Sequence, residues 1–139
     1  MGAMLEISTD LLRRIMALAA AQPGREVCGL LLGGPERVIG VEPCANVAAK
    51  PATTFEIDPV QLIAAHRRAR AGGPAIAGCY HSHPRGDATP SERDAEAAPP
   101  DGGVWLIVGG GRFAAWRAVA DGQLHGRFEP LTMVIAPAT

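Results

Sequence analysis

The sequence predicts one domain of the α/β (α+β) class, with a mostly β core flanked by two longer helices and one short helix. Short apolar runs that end in glycine-rich turns predict the strands, and capped segments with apolar residues at helical spacing predict the helices. The chain of 139 residues has the usual length of a single domain, and it contains no internal repeat or linker. We therefore expect one hydrophobic core.

Three segments carry the start and stop signals of helices. The first begins at the N-cap candidates Ser8-Thr9-Asp10, and the second begins with Asp58 as N-cap and Pro59 at the first helical position. Arginines crowd the end of the second segment, where positive charge suits the negative pole of a helix. The predicted helices cover residues 8–22, 58–72 and 91–99.

The remaining apolar runs are too short, or too closely bounded by glycine, to be helices. They predict strands over residues 27–32, 37–42, 54–57, 76–80, 105–108, 112–119 and 124–129. Asp121-Gly122 is a common hairpin turn and separates the last two strands. A polar loop is expected to follow the 76–80 strand, from His81 to Pro90.

The charge balance argues against two classes of partner. Thirteen Lys+Arg face fourteen Asp+Glu, a net charge of −1, so no basic surplus points to nucleic acid or to an anionic membrane. No apolar run approaches the ~18–20 residues that a membrane-spanning helix needs. Residues 1–4 do not resemble a signal peptide; we expect a cloning remnant or disordered start there and the domain over residues 5–139.

The three cysteines, Cys28, Cys44 and Cys79, stand singly, and no Cys-x-x-Cys pair occurs. This spacing argues against a disulfide framework and against a cysteine-rich zinc ribbon, so a reducing cytoplasm is the expected location. Cys79 shares the parity of His81 and His83 in an extended segment and could face a metal. A small buried core residue is the preferred interpretation.

Two places in the chain suggest chemistry. His81 and His83 lie two apart at the end of an apparent strand, so both imidazoles can point to one atom, and Asp94 lies in the first turn of the next helix. Two imidazoles and one carboxylate leave the fourth position of a zinc ion open to water, whose pKa then falls to about 7. Glu26 borders another buried strand and is the candidate general base, and Ser91 could donate to a developing oxyanion.

Each of these residues also has an ordinary structural interpretation. Ser91 and Asp94 form an S-x-x-D helix start, His-x-His pairs occur in many loops, and a lone glutamate is usually solvated. The capping and metal interpretations of Asp94 are compatible, because a capped helix end also orients the carboxylate. The conjunction of all five residues favours a metal site.

That conjunction resembles the motif of the JAMM family of zinc metallopeptidases, also called MPN-plus or JAB: a glutamate, then His-(Ser/Thr)-His-Pro-x6-Ser-x2-Asp. Here the motif is complete as Glu26, His81-Ser82-His83-Pro84, Ser91 and Asp94, and the resemblance spans residues 5–116. It implies His81, His83 and Asp94 as zinc ligands, one zinc per chain, Glu26 as general acid/base and Ser91 as oxyanion stabiliser. The implied fold is a single JAMM/MPN domain, a curved mixed β-sheet flanked by helices, in the cytidine-deaminase-like architecture.

The resemblance also implies an activity and a partner. Family enzymes cleave peptide or isopeptide bonds after the C-terminal Gly-Gly of ubiquitin or ubiquitin-like proteins, and small bacterial members act on ubiquitin-like sulfur carriers. The bulky insertions that grip ubiquitin in eukaryotic members are missing here. We therefore expect a Gly-Gly tail to bind in a shallow groove beside a sheet edge.

Two other functions are alternatives to this peptidase activity. A non-catalytic MPN-type scaffold that binds a partner is the main alternative, but such relatives usually lack a ligand and this chain lacks none. A base deaminase would need a Pro-Cys-x-x-Cys pair, which is absent.

Outside the motif, Trp105 and Trp116 are expected to pack in the core, and His125 is expected in a late strand without a partner.

Overall fold

The computed structural model describes residues 3–137, and within this range the chain forms seven strands and three helices. The strands are β1 (Met4–Ser8), β2 (Cys28–Gly34), β3 (Arg37–Cys44), β4 (Ile76–His83), β5 (Val104–Gly109), β6 (Arg112–Gly122) and β7 (Gly126–Ala136). The helices are α1 (Thr9–Ala21), α2 (Pro59–Arg70) and α3 (Glu92–Ala97).

The strands close into a barrel in the order β1-β3-β2-β4-β5-β6-β7. β1 closes the barrel because it pairs with both β7 and β3, and it runs parallel to each of them. β4 and β5 are also parallel, whereas the other neighbouring strands are antiparallel. The mixed sheet agrees with the predicted class, and the join between β1 and β3 has the fewest paired residues, Glu6 with Arg37 alone.

Alternation along the strands separates two apolar clusters. In β5, Val104, Leu106 and Val108 belong to the main core, to which every strand contributes and α1 adds buried leucine and isoleucine side chains. Trp105 points to the opposite face and packs with Phe128 in a second, smaller cluster. Cys79 packs against this second cluster, as a core residue would. His81 and His83 have the same parity in β4 and therefore lie on the face of the second cluster.

The helices begin where their capping residues predict. The Ser8 hydroxyl accepts a hydrogen bond from the Leu11 N–H at 3.2 Å, and the Asp58 carboxylate accepts one from the Val60 N–H at 2.9 Å. Ser91 caps α3. None of the described helices is long and apolar enough to cross a membrane.

Several strand predictions need correction. β1 was not predicted; it forms through pairing with β7, and because this pairing includes Met4, the predicted disordered start does not extend to that residue. Met1 and Gly2 lie outside the described residues. Residues 54–57 form no strand and contribute only an isolated bridge between Asn46 and Ile57. β4 continues to His83, where a loop was expected from His81, because its pairing with β5 extends to Gly109.

Candidate metal centre and active site

Three side chains from two elements converge at the carboxyl end of β4. His81 and His83 are among the last three residues of β4, and Asp94 is in the first turn of α3. The two Nε2 atoms are 3.0 Å apart, and Asp94 Oδ2 is 3.2 Å from His81 Nε2 and 3.1 Å from His83 Nε2. Within the described part of the chain, this is the one cluster of three histidine, cysteine or acidic residues that could hold a metal ion.

The donor set fits a divalent metal. Three atoms about 3.1 Å apart leave space for an ion ~2.0–2.1 Å from each, the usual bond length to histidine nitrogen and carboxylate oxygen. His83 Nδ1 lies 2.8 Å from the Asp87 carbonyl, so this nitrogen carries the proton and leaves the Nε2 lone pair free. The arrangement can therefore bind a metal ion through two imidazoles and one carboxylate.

Asp94 serves the helix and the cluster with the same carboxylate. Its Oδ2 accepts a hydrogen bond from the Ser91 N–H at 2.9 Å, and the Ser91 hydroxyl accepts one from the Asp94 N–H at 3.0 Å. This capping box holds the carboxylate toward the two histidines. The capping interpretation is thus correct, and it is compatible with metal binding. The exposed Ser91 hydroxyl still has its own proton to donate.

The pKa shifts of His81 and Asp94 favour the unprotonated forms that bind a metal, whereas the shift of His83 favours its protonated form as long as no metal displaces the proton. Burial lowers the pKa of His81. Burial also acts to lower the pKa of His83, but hydrogen bonds with Asp94 and the Asp87 carbonyl outweigh it and the pKa is raised. Burial acts to raise the pKa of Asp94, yet the hydrogen bonds with His81 and His83 hold it well below its usual range, so Asp94 remains a carboxylate.

Glu26 is buried just before β2, with 5% of its surface exposed. Burial raises its pKa from 4.5 to about 7, with smaller and opposing influences from His83, which lowers it, and Asp94, which raises it. Its Oε1 has no hydrogen-bond partner among the described residues. A carboxyl group with a pKa near neutrality can both accept and release a proton at physiological pH.

Ser82 connects the segment of Glu26 to the histidines. The sequence motif includes Ser82 but predicts no role for it. Its hydroxyl accepts a hydrogen bond from the Val27 N–H at 2.9 Å, and its own N–H donates to the Val27 carbonyl at 3.0 Å. The residue after Glu26 is therefore bonded to the residue between His81 and His83. A hydroxyl residue at this place in the His-(Ser/Thr)-His motif was the available signal.

Aromatic side chains surround His81, which is fully buried. The Phe55 ring stacks on the imidazole with centroids 4.3 Å apart and planes at 23°, and the Trp105 ring meets it edge-on at 5.5 Å. Trp105 packs in a core cluster, as predicted. Phe55 lies in the irregular segment between β3 and α2, and no periodicity in the sequence indicates its contact with His81.

Two side chains from β6 and from the turn that follows it hold the loop between His83 and Ser91. The Trp116 indole donates to the Ala88 carbonyl at 3.1 Å, and His125 Nε2 lies 3.1 Å from the Pro90 carbonyl. The prediction that His125 has no partner is therefore wrong, because the turn brings it against this loop. Trp116 packs against the second cluster as expected and in addition fixes the loop.

Two small cavities, which share Gln22 in their linings, lie beside Glu26 and beside His83. One of about 200 Å³ borders Glu26, Arg25 and Asn46, and another of about 220 Å³ borders His83 and Gly110. A larger cavity of about 550 Å³ lies between α2 and β4. Its lining includes none of His81, His83 and Asp94. The convergent side chains, and not the size of a cavity, therefore identify the candidate active site.

Comparison with known proteins agrees with this geometry. The sequence model of the family described as prokaryotic homologs of the JAB domain matches residues 8–119. A desampylase from Haloferax volcanii is 38% identical over 106 residues, which cover 74% of this chain and 76% of that protein. A probable TtuB-protein conjugate cleaving protease from Thermus thermophilus is 35% identical over 97 residues, 70% of this chain and 65% of that protein.

A solved structure supports the fold. The crystal structure of a JAB1/MPN domain protein from Archaeoglobus fulgidus superimposes with a TM-score of 0.57 and 20% identity, covering 95% of this chain and 98% of that one. At 20% identity this similarity concerns the fold alone.

Proposed function

The chain belongs to the family of prokaryotic JAB-domain homologues, and we propose that it is a zinc-dependent peptidase or isopeptidase. The bond it hydrolyses is the amide after the C-terminal Gly-Gly of a ubiquitin-like protein. The observation that carries the proposal is the triangle of His81 Nε2, His83 Nε2 and Asp94 Oδ2, with sides of 3.0 to 3.2 Å, next to the buried Glu26. The names of the relatives, desampylase and conjugate cleaving protease, support the same activity.

Zinc is the proposed metal because two imidazoles and one carboxylate are a common ligand set of catalytic zinc sites. When bound, the ion would act as a Lewis acid and lower the pKa of water to near neutrality. His81, His83 and Asp94 would hold it, and the hydrogen bonds of His83 to Asp87 and of Asp94 to Ser91 orient the ligands.

Glu26 and Ser91 are the proposed catalytic side chains. Glu26 would take a proton from the attacking water and deliver it to the leaving amine, a role that suits a carboxyl group with a pKa of about 7. The Ser91 hydroxyl, whose lone pair already accepts from the Asp94 N–H, would donate its proton in a hydrogen bond to the oxyanion that develops on the scissile carbonyl.

The proposed partner is a ubiquitin-like or sulfur-carrier protein, or its C-terminal conjugate. The cavities beside Glu26 and beside His83 are the proposed spaces for the carrier tail and the leaving group. Both a small amino acid and a lysine of a second protein are compatible leaving groups. We place this activity in the cytoplasm, in keeping with the three free thiols of Cys28, Cys44 and Cys79.

Metal analysis tests the site. We expect about one zinc per chain in the purified protein and loss of that zinc in His83→Ala, while Glu26→Gln retains it. The matched comparison is informative because both residues are near the cluster and only one is a proposed ligand. A protein that is active after complete removal of metal would contradict the proposal.

Hydrolysis is tested with a ubiquitin-like protein whose Gly-Gly is joined either to cysteine or to a lysine side chain of a second protein. Mass spectrometry should detect release of the carrier ending in Gly-Gly, and Glu26→Gln should lower kcat by about 100-fold or more. Undiminished turnover in Glu26→Gln would remove Glu26 from the mechanism. Binding of the carrier without cleavage of either conjugate by the zinc-loaded chain would favour the alternative, a non-catalytic MPN-type scaffold.

A further inference from the structure

We propose that Asn46 is a positioning residue that sets the distance between Glu26 and His81; this inference rests on the proposed function. Asn46 lies in the segment between β3 and α2, and its side chain makes four hydrogen bonds to the backbone. Nδ2 donates to the carbonyls of Glu26 at 2.9 Å and Thr54 at 3.0 Å. Oδ1 accepts from the N–H groups of Ala48 at 3.0 Å and Glu56 at 3.1 Å.

The first consequence concerns the backbone of Glu26. Asn46 binds its carbonyl, and the Glu26 N–H donates to the Pro51 carbonyl at 2.7 Å. Both backbone polar groups of Glu26 are therefore held by the segment that Asn46 organises. Because Glu26 precedes β2 and lies outside the strand, these bonds replace the ladder hydrogen bonds that would otherwise fix it.

The second consequence concerns Phe55. The Thr54 carbonyl and the Glu56 N–H, which both bind Asn46, flank Phe55 on either side. The Phe55 ring in turn stacks on the buried imidazole of His81 at 4.3 Å. One side chain thus connects the backbone of the proposed base to the aromatic support of a proposed metal ligand.

Asparagine suits this position because its amide presents two donors and a double acceptor. Aspartate has almost the same shape and keeps both acceptor bonds, to Ala48 and Glu56, but loses both donor bonds. Alanine loses all four. The two substitutions therefore separate folding of the local turn from the bonds that reach Glu26 and Thr54.

The first experiment needs no activity. The chain contains a single asparagine, so selective ¹⁵N labelling of the asparagine side-chain amide gives one pair of N–H signals. Since both amide protons are donated to carbonyls, we expect them to exchange with solvent at least ~10-fold more slowly than in the urea-unfolded chain. Exchange at the unfolded rate in the folded protein would overturn the inference.

The second experiment compares kcat and KM on the conjugate that the wild type cleaves. We expect Asn46→Ala and Asn46→Asp each to lower kcat by about 10–100-fold with KM changed less than about 3-fold, as for groups that orient a reacting residue. Thr53→Val is the matched control: it removes a hydrogen bond of the same segment, from the Thr53 hydroxyl to the Lys50 carbonyl, and should retain kcat.

The outcomes are distinguishable. If Asn46→Asp keeps wild-type kcat, or if Thr53→Val loses as much as Asn46→Asp, Asn46 only stabilises its own turn and the inference is wrong. If the wild type cleaves no ubiquitin-like conjugate, the proposed function fails, and slow exchange of the Asn46 amide still measures whether the connection between Glu26 and Phe55 exists.

Discussion

The Ser82 hydroxyl accepts a hydrogen bond from the Val27 N–H at 2.9 Å, and the Ser82 N–H donates to the Val27 carbonyl at 3.0 Å. The two residues are 55 positions apart in the chain. Val27 follows Glu26, and Ser82 separates His81 from His83. This reciprocal pair therefore joins the two distant parts of the motif directly, through atoms that are neither ligands nor the proposed base.

We expect Ser82→Ala to lower the free energy of unfolding by about 1–3 kcal/mol, because the Val27 N–H loses its acceptor at a buried position. Ser82→Thr keeps the hydroxyl and should cost much less. Urea unfolding of the two variants measures the difference. Equal stabilities of Ser82→Ala and Ser82→Thr would show that the hydroxyl contributes nothing.

Glu26 should make the metal-free protein less stable at higher pH. Its pKa is about 7 in the folded state and 4.5 ordinarily, so folding favours the protonated form. The contribution of this group to stability is complete below pH 4.5 and is lost as the pH rises through 7. By pH 8 the loss amounts to at most about 3 kcal/mol.

Glu26→Gln provides the matched comparison because glutamine is neutral at every pH. Urea unfolding of chelator-treated protein at pH 5 and pH 8 should give a stability difference between variant and wild type that grows with pH in favour of the variant. Groups remote from Glu26 titrate equally in both proteins and cancel, whereas His83 loses the charge of Glu26, which helps to raise its pKa. A difference that stays constant over this range would mean that Glu26 is ionised at little cost.

Local signals in the sequence predicted most of the fold. Caps at Ser8, Asp58 and Ser91 identified the helix starts, because a capping side chain acts within three residues of itself. β1 was missed because its stability comes from parallel pairing with β7, at the other end of the described chain. Long-range pairing of this kind leaves no pattern in a five-residue segment.

In the candidate site, too, local features were predictable from the sequence and long-range contacts were not. Alternation in an extended strand correctly predicted that His81 and His83 share a face, and helix capping predicted where Asp94 lies. Asn46, Trp116 and His125 were not predicted to touch the site region. Each acts on backbone carbonyls of a segment distant in the chain, and a carbonyl is present at every residue, so the sequence carries no mark of which one is bound.

Gly29 should be required for the fold although the motif gives it no chemical role. A Cβ at this position of β2 would lie 2.4 Å from the Glu42 carbonyl oxygen on β3 and 2.4 Å from the ring of the buried Tyr80. We expect Gly29→Ala to lower the free energy of unfolding by about 3 kcal/mol or more.

Gly34 on the same strand is the control for that substitution. Nothing lies within 4 Å of a Cβ built there, so Gly34→Ala should stay within about 0.5 kcal/mol of the wild type. Urea unfolding of both variants gives the comparison. Similar stabilities would mean that β3 and Tyr80 move aside without cost.

Trp116 should influence metal affinity through the loop between His83 and Ser91. Its indole N–H donates to the Ala88 carbonyl, while His83, the neighbouring proposed ligand, donates to the Asp87 carbonyl through Nδ1. Trp116→Phe removes the donor and keeps an aromatic ring, so the loop and the orientation of His83 become less fixed. We expect the zinc dissociation constant to rise about 10-fold.

A competition titration against a chromophoric zinc chelator measures this change well below the melting temperature, where a loss of stability of about 1 kcal/mol leaves the protein folded. His125→Asn is a companion variant: asparagine tolerates the left-handed backbone at φ 53°, but its side chain is too short to replace the bond to the Pro90 carbonyl. Both variants should weaken zinc binding, since both release the same loop. Unchanged affinity in Trp116→Phe would mean that the capping box and the Asp87 carbonyl alone suffice to orient the ligands.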